Sequence, residues 1–180
     1  MRALVTGATG YIGGRLVPPL LDAGHTVRVL VRDEAKTRAH TWAGDVEVEV
    51  GDATDEDAVR RAMQDVDVLY YLLHSIGTGG DFGATERAMA EGFARAAREA
   101  GVRRIVYLSG MVPKGEELSE HLRSREQVGQ VLLDSGVPTT VLQAGVVIGS
   151  GSASFEMLRY LTERLPVMVV PRWVHTRIQP

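Results

Sequence analysis

Three glycines near the start of the chain form the first pattern in this sequence that could bind a ligand. They recur at intervals of three residues, between an apolar run typical of a buried strand, Arg2–Thr6, and a helical pattern that begins at Tyr11. In such a loop the first glycine permits a tight turn, the second lets the backbone approach a pyrophosphate, and the third lets the helix pack tightly on the sheet. Backbone N–H groups at the start of the helix would face the phosphates, assisted by the helix dipole. The loop residues predicted to bind a dinucleotide are Gly7, Thr9, Gly10, Tyr11, Ile12 and Gly13.

This loop resembles that of the atypical and extended members of the short-chain dehydrogenase/reductase superfamily, through the string Thr6-Gly7-Ala8-Thr9-Gly10-Tyr11-Ile12-Gly13. The resemblance covers essentially the whole chain. It implies an α/β fold with a Rossmann-like, doubly wound parallel sheet and helices on both faces. It also implies an NAD(P) cofactor and an oxidoreductase that acts on a small carbonyl or hydroxyl compound.

The chain is also similar to the first domain of a bacterial NAD(P)H-binding, epimerase-like group whose members continue well beyond it. Its last residues, Arg177–Pro180, end without any closing element. We therefore interpret residues 1–180 as a single NAD(P)-binding domain that is truncated on its C-terminal, substrate side.

Two residues at the end of the second predicted strand bear on the choice between NADP and NAD. An acid at this place favours the free 2′-hydroxyl of NAD, whereas an arginine accommodates the 2′-phosphate of NADP. Arg32 comes first and is followed by Asp33. We interpret Arg32 as a bidentate phosphate ligand and expect NADP, while Asp33 keeps NAD as the alternative.

The ends of the third and fourth predicted strands supply further cofactor residues. The resemblance places Asp52 beside the adenine amino group, with the backbone of Ala53 alongside. A turn carboxylate is the alternative for Asp52. Ligands of this fold bind beyond the carboxyl ends of the strands, so we expect Leu72, Leu73 and His74 to border the ribose. A capping or solvated role is the alternative for His74.

The catalytic pair of the superfamily is replaced in this chain. Its members carry a Ser or Thr at the end of the fifth strand, and a Tyr-x-x-x-Lys motif on the next helix. Here Ser109 ends the strand, whereas His121 and Arg125 stand at the Tyr and Lys positions. The resemblance implies that Ser109 orients a carbonyl, that His121 donates its proton, and that Arg125 binds ribose hydroxyls or a substrate carboxylate. The replacement leaves a second interpretation open, a dinucleotide-binding sensor or regulatory module without turnover.

Helical periodicity is a second reason, separate from the resemblance, to single out His121 and Arg125. At 100° per residue both fall within an apolar stripe, which consists of Leu118, Leu122, Gly129, Leu132 and Leu133. Polar groups on such a stripe need partners or a cleft, because their unpaired burial is costly. We expect both residues to lie in the cofactor cleft. The alternative is a satisfied core histidine beside an arginine that reaches solvent.

Alternating strands and helices would position these residues. Six apolar runs are predicted as strands: Arg2–Thr6, Thr26–Val31, Val46–Val50, Asp67–Leu72, Arg103–Leu108 and Thr139–Gln143. Most are near-continuous in Val, Leu and Ile, as in a parallel sheet that is covered on both faces. The helices are predicted at Tyr11–Ala23, Asp55–Gln64, Phe82–Ala100, Glu116–Ser135 and Ser152–Leu165, and a further strand at Pro166–Pro171.

Two of these helices carry specific expectations. Pro18 and Pro19 fall well inside the first helix and predict a bend there, because proline removes a hydrogen bond. On the third helix, Met89 and Phe93 are expected on the buried face, with Glu86 away from it.

Composition narrows the class of partner. The chain has 180 residues and a net charge of −3, which gives no electrostatic reason to expect nucleic acid. It has no Cys, which excludes disulfides and thiol catalysis, and its five His lack metal-ligand spacing. No apolar run approaches a membrane span, and the first strand leaves no room for a signal peptide. We therefore expect a cytoplasmic protein with a small-molecule substrate and no metal, nucleic acid or membrane partner.

Overall fold

Six parallel strands form one sheet in the part of the chain that the structure describes. The structure is a computed structural model, and it describes residues 1–74, 82–111, 119–145 and 147–167. The strands are β1 (Arg2–Thr6), β2 (Thr26–Val31), β3 (Glu47–Val50), β4 (Val68–Tyr71), β5 (Arg104–Gly110) and β6 (Thr139–Ala144). They lie in the order β3-β2-β1-β4-β5-β6, and every neighbouring pair is parallel. The direction of winding reverses between β1 and β4, which confirms the doubly wound sheet predicted from the sequence.

Helices connect the strands. They are α1 (Tyr11–Asp22), α2 (Glu56–Ala62), α3 (Phe82–Glu99), α4 (Glu120–Leu133) and α5 (Ala153–Arg164), with a 3-10 helix at Glu34–Ala39 after β2. The start predicted for α4 is wrong by four residues, because Ser119 is the N-cap and its hydroxyl accepts a hydrogen bond from the Leu122 N–H. The strand predicted at Pro166–Pro171 lies mostly outside the described residues.

The central strands β1 and β2 are buried on both faces because they are apolar at most positions, whereas the edge strands β3 and β6 have no fully buried residue. Along β1, Leu4 belongs to a core that includes Phe93 of α3 and Leu132 of α4, whereas Val5 belongs to a second core with Val17 of α1. Alternate residues of a strand point to opposite faces, so one continuous apolar run supplies both cores. With both faces covered, the carboxyl edge of the sheet is the place where this fold accommodates a ligand.

The α1 helix contains Pro18 and Pro19 and still runs without a break from Tyr11 to Asp22. Pro18 has no N–H, so the carbonyl of Gly14, four residues earlier, loses its helical partner. The indole N–H of Trp42 replaces that partner and donates to the Gly14 oxygen over 3.1 Å. This side-chain donor explains how the helix tolerates a proline beyond its first turn. The bend expected from the prolines stays a prediction.

Candidate functional site

A cavity of about 630 Å³ lies at the carboxyl edge of the sheet, beyond the ends of β1 to β4. A volume of this size suits an organic cofactor or substrate. The predicted cofactor residues that line it are Gly7, Thr9, Arg32, Asp52, Ala53, Leu73 and His74. Lining residues that the sequence analysis did not single out are Leu30, Val31, Gly51, Thr54, Thr85 and Met89. The last two belong to α3, whose first turns close the cavity from one side.

The glycine loop forms the wall of the cavity beyond β1. Gly7 has a φ of +66°, in the left-handed region that favours glycine. A Cβ on Gly7 would also approach the carbonyl oxygen of Leu72 to 3.0 Å. A Cβ on Gly13 would overlap the carbonyl oxygen of Gly7 and the Cα of Ala8. Gly13 therefore lets α1 close upon the loop itself, which corrects the contact with the sheet expected for it.

The first turn of α1 carries no side chain that competes for its backbone N–H groups. Its N-cap is Gly10, and no side-chain hydrogen bond caps the helix. By contrast, the Asp55 carboxylate caps α2 and accepts from the N–H groups of Asp57 and Ala58. The start of α1 thus combines N–H donors and the positive end of a helix dipole, without a built-in carboxylate. This combination suits an anion such as pyrophosphate.

Arg32 and Asp33 follow β2 and have different surroundings. The Asp33 carboxylate caps the 3-10 helix, accepting a hydrogen bond of 2.9 Å from the Ala35 N–H. Arg32 is exposed and lines the cavity. Because capping engages Asp33, Arg32 is the member of the pair that is placed to meet a ligand.

Asp52 lines the cavity and also organises the turn after β3. Its Oδ1 accepts hydrogen bonds from the hydroxyl of Thr54 at 2.7 Å and from the Thr54 N–H at 2.8 Å. These two bonds, with a smaller contribution from the charge of Arg32, hold the pKa of Asp52 below its usual value. The turn role is therefore present, and contact with adenine stays a prediction.

Beyond β4, the Arg125 guanidinium joins two histidines. Arg125 lies on α4 and is only 8% exposed. Its Nη1 lies 2.5 Å from Nδ1 of His74, and its Nη2 lies 3.4 Å from Nε2 of His121. Its Nε has no hydrogen-bond partner among the described residues. The structure thus brings three predicted site residues together, although His74 and Arg125 are 51 positions apart.

The contact with Arg125 determines which nitrogen of His74 accepts a hydrogen bond. A guanidinium only donates, so Nδ1 of His74 is unprotonated and a neutral ring carries its proton on Nε2. Loss of hydration and the charge of Arg125 both lower the pKa of His74. At pH 7 the residue is therefore neutral and provides an Nε2–H donor at the cavity wall.

Ser109 is connected to Arg125 through a tyrosine that the sequence analysis did not single out. Ser109 is 5% exposed, and its side chain lies near enough to the hydroxyl of Tyr107 to lower the pKa of that phenol. The Tyr107 hydroxyl in turn donates to the carbonyl oxygen of Arg125 over 3.4 Å. Burial raises the pKa of Tyr107 in spite of these contacts, so this phenol stays protonated and serves as a link.

A buried carboxylate lies beside this cluster. Glu86 of α3 is 4% exposed and accepts a 2.5 Å hydrogen bond from the hydroxyl of Ser124, which precedes Arg125 on α4. The expectation that Glu86 lies away from the buried face of α3 is therefore wrong. Its partner is 38 positions away, so the periodicity of α3 alone gave no sign of the contact.

The buried stripe of α4 also differs from the predicted one. It consists of Ser124, Arg125, Val128, Gly129 and Leu132. Leu133 is 50% exposed, and His121 is exposed because it lies in the first turn, before the buried segment. Leu118 lies outside the described residues. Neither His121 nor Arg125 is among the described residues that line the cavity, and Arg125 reaches it through His74.

Comparison with known protein families agrees with this geometry. Residues 7–148 match the model of a family described as NAD(P)H-binding. The chain belongs to this family. The match begins at the first glycine of the loop and extends past the end of β6, so it includes the loop and the strands β2 to β6 but not β1.

Three known proteins are similar to this chain. A (4-alkanoyl-5-oxo-2,5-dihydrofuran-3-yl)methyl phosphate reductase of Streptomyces griseus is 33% identical over 141 residues, which cover 78% of this chain and 46% of that protein. The crystal structure of Citrobacter sp. triphenylmethane reductase complexed with NADP(H) is 25% identical, has a TM-score of 0.70, and covers 91% of this chain and 55% of its own. An NADPH-dependent quinone oxidoreductase of Escherichia coli, complexed with NADPH, is 28% identical with a TM-score of 0.67, over 81% of this chain and 49% of its own. The chain thus spans about half the length of each relative.

Of the helices in the described ranges, none is long and apolar enough to cross a membrane. The same residues include no group of three or more His, Asp or Glu that could hold a metal ion.

Proposed function

We propose that this protein is an NADP-dependent oxidoreductase of the atypical short-chain type, acting on a small carbonyl or hydroxyl compound. The observation that carries the proposal is the order of groups along the cavity. Arg32 follows β2, the glycine loop follows β1, and His74 follows β4, and these three strands are neighbours in the sheet. An extended dinucleotide presents its ribose phosphate, pyrophosphate and nicotinamide in the same order.

The residues present fit such a cofactor. Gly7 and Gly13 keep clear the space that Cβ atoms would fill beside the loop, and the N–H groups at the start of α1 bind the pyrophosphate. Arg32 binds the 2′-phosphate, since its neighbour Asp33 is engaged in capping. The similar structures from Citrobacter and Escherichia coli were solved in complex with NADP(H) and NADPH, which supports the same preference for NADP.

The cofactor and the residues of the chain would have separate roles in the reaction. NADPH, when bound, supplies the hydride. His74 donates from Nε2 to a ribose hydroxyl, and Arg125 keeps His74 in the tautomer that can do so. Ser109 orients the substrate oxygen, and His121, on the open side of the cluster, donates the proton from its protonated ring, which does not accept from Arg125 in that state and becomes neutral afterwards. We also propose a cytoplasmic location and a small-molecule partner.

Cofactor titration of the Arg32→Ala variant tests the proposal. Hydrogen bonds to charged groups are worth roughly 1.5–3 kcal/mol, so the Kd for NADPH should rise at least about tenfold while that for NADH changes little. Arg60→Ala is the matched control, because it removes an equal charge from an exposed ion pair with Asp57 on α2. Equal losses for both cofactors would return the ribose contact to Asp33.

Turnover separates the proposed enzyme from the alternative of a sensor. NADPH consumption is followed against a panel of small carbonyl compounds, with direct NADPH binding measured in parallel. Consumption that depends on His121 supports the oxidoreductase. Tight binding without consumption of any compound would favour the dinucleotide-binding sensor, and absence of binding would refute both.

A further inference from the structure

Glu86 and Arg125 are the two charged residues among the described ones that are buried, at 4% and 8% exposure. They have opposite charges and lie on neighbouring helices, and Ser124, which holds Glu86, directly precedes Arg125. We propose that Glu86 is a positioning residue: its carboxylate, anchored by Ser124, offsets the buried charge of Arg125 and so sets how strongly that charge acts on His74. The expected effect on NADPH rests on the proposed function, whereas the effect on His74 does not.

The net charge of the cluster around Arg125 favours this role for Glu86. A buried cation is costly unless an opposite charge lies near it. The direct side-chain partners of Arg125 are nitrogens of His74 and His121, which accept its hydrogen bonds only when they carry no proton and hence supply no negative charge. Among the residues that the structure describes, Glu86 is the carboxylate that is buried, and its charge acts on the same neighbours as that of Arg125.

The charges of Glu86 and Arg125 act on the same neighbours with opposite signs. The charge of Arg125 lowers the pKa of His74, Tyr71 and Tyr107, and the charge of Glu86 raises the pKa of all three. Tyr71 and Tyr107 lie on β4 and β5, in the core that α3 and α4 cover, and His74 lies in the segment that follows β4. Both charges therefore lie within electrostatic reach of the whole cluster, together with His121, which also lowers the pKa of His74.

Glu86 is also connected to the cavity through its neighbours on α3. Thr85 and Met89, on the same turns of α3 as Glu86, line the cavity, and so does His74. The Ser124–Glu86 hydrogen bond fixes this part of α3 against α4. A change at Glu86 is thus transmitted to the wall that faces the ligand.

The test uses the pKa of His74, measured by NMR in the full chain without cofactor. Glu86→Gln keeps the shape of the side chain and removes its charge. The pKa of His74 should fall below its wild-type value, because the effect of Arg125 is then unopposed. Glu91→Gln is the matched control, since Glu91 is an exposed residue of the same helix that pairs with Arg87. This variant should leave the pKa of His74 unchanged.

NADPH titration of the same variants gives the second measurement. Residues of one hydrogen-bonded network are energetically coupled, so Glu86→Gln should raise the Kd for NADPH by at least about twofold. Ser124→Ala, which frees the carboxylate but keeps its charge, should move both readouts in the same direction by a smaller amount.

The outcomes are distinguishable. If the pKa of His74 falls in Glu86→Gln but the wild type binds no NADPH, the proposed function fails and the positioning role stands. If Glu86→Gln folds and leaves both the pKa of His74 and the NADPH affinity unchanged, the positioning role is wrong. If Glu86→Gln does not fold, Arg125→Met is added: restored folding supports the charge balance, and continued failure together with an unaltered His74 in Ser124→Ala overturns it.

Discussion

The two ends of the cavity differ in the groups that form them, which are backbone groups at one end and side chains at the other. The phosphate end, Gly7–Gly13, consists of seven consecutive residues, and its backbone shape depends on glycines at positions where a Cβ would collide with the backbone. The reactive end consists of the side chains of His74, Glu86, Ser124 and Arg125, which come from three separate parts of the chain. A backbone site is damaged by added atoms, whereas a side-chain cluster is damaged by a change of charge or of a hydrogen-bond partner. The predictions below use this difference, from the largest expected effect to the smallest.

The phosphate end should be intolerant of a single methyl group. In Gly13→Ala the new Cβ meets the Gly7 carbonyl and Ala8, so we expect a loss of about 3 kcal/mol in the free energy of unfolding, measured with urea. Gly92→Ala in α3 is the control, because a Cβ there has no neighbour within 4 Å. It should stabilise the protein by about 0.5–1 kcal/mol, as helix propensity alone predicts. Equal signs for the two variants would contradict the steric explanation.

The support of α1 by Trp42 should be visible in a double-mutant cycle. Trp42→Phe leaves the Gly14 carbonyl without the donor that replaces Pro18, and we expect a cost of about 2 kcal/mol in unfolding free energy. In a Pro18→Ala background the backbone N–H of residue 18 restores the helical bond. The cost of Trp42→Phe should then be about 1 kcal/mol smaller, and an identical cost in both backgrounds would show that only packing was lost.

At the reactive end, the link between Ser109 and Arg125 can be cut by removing one oxygen. Tyr107→Phe leaves the Ser109 hydroxyl and the Arg125 carbonyl without their shared partner, so it should cost about 1–2 kcal/mol in thermal or urea unfolding. Tyr160→Phe removes the same oxygen from a ring that is 60% exposed on α5 and should be neutral. A neutral Tyr107→Phe would mean that the link contributes no stability.

The smallest effect is the pH dependence that His74 contributes. Its pKa in the folded protein is lowered from 6.5, so the unfolded chain binds more protons and stability rises with pH in this range. The free energy of unfolding should therefore decrease as the pH falls below about 6.5, above the range in which carboxylates titrate. His74→Gln should flatten this part of the profile. An unchanged slope would place the titration on another group.

The geometry of the glycine loop was predicted well from the sequence for a physical reason, whereas its contact with a pyrophosphate stays a prediction. Turn geometry and close backbone approach require glycine, so Gly7 and Gly13 are visible as letters, and the strand before them is visible as an apolar run. For the same reason the six strands and five helices were predicted within a few residues of their observed bounds, apart from the start of α4.

The reactive end could be predicted only in part. Ser109, His121 and Arg125 were singled out by their positions, yet the burial of Arg125 and the exposure of His121 depend on where α4 begins. Glu86 carries a charge that usually indicates an exposed position, and its partner Ser124 is remote in sequence. Contacts between distant side chains leave no periodic signal, so the charge balance of this end became visible only in three dimensions.

Pro18 and Trp42 also constrain the order in which this sequence can diverge. Any replacement of Pro18 restores an N–H to the helix, after which the indole at position 42 is no longer needed as a donor. The reverse order passes through a chain whose Gly14 carbonyl has lost both partners, and selection against unstable intermediates closes that route. Lineages that have lost the tryptophan should therefore carry a residue other than proline at position 18. In such lineages the replacement of Pro18 should have come before the loss of Trp42.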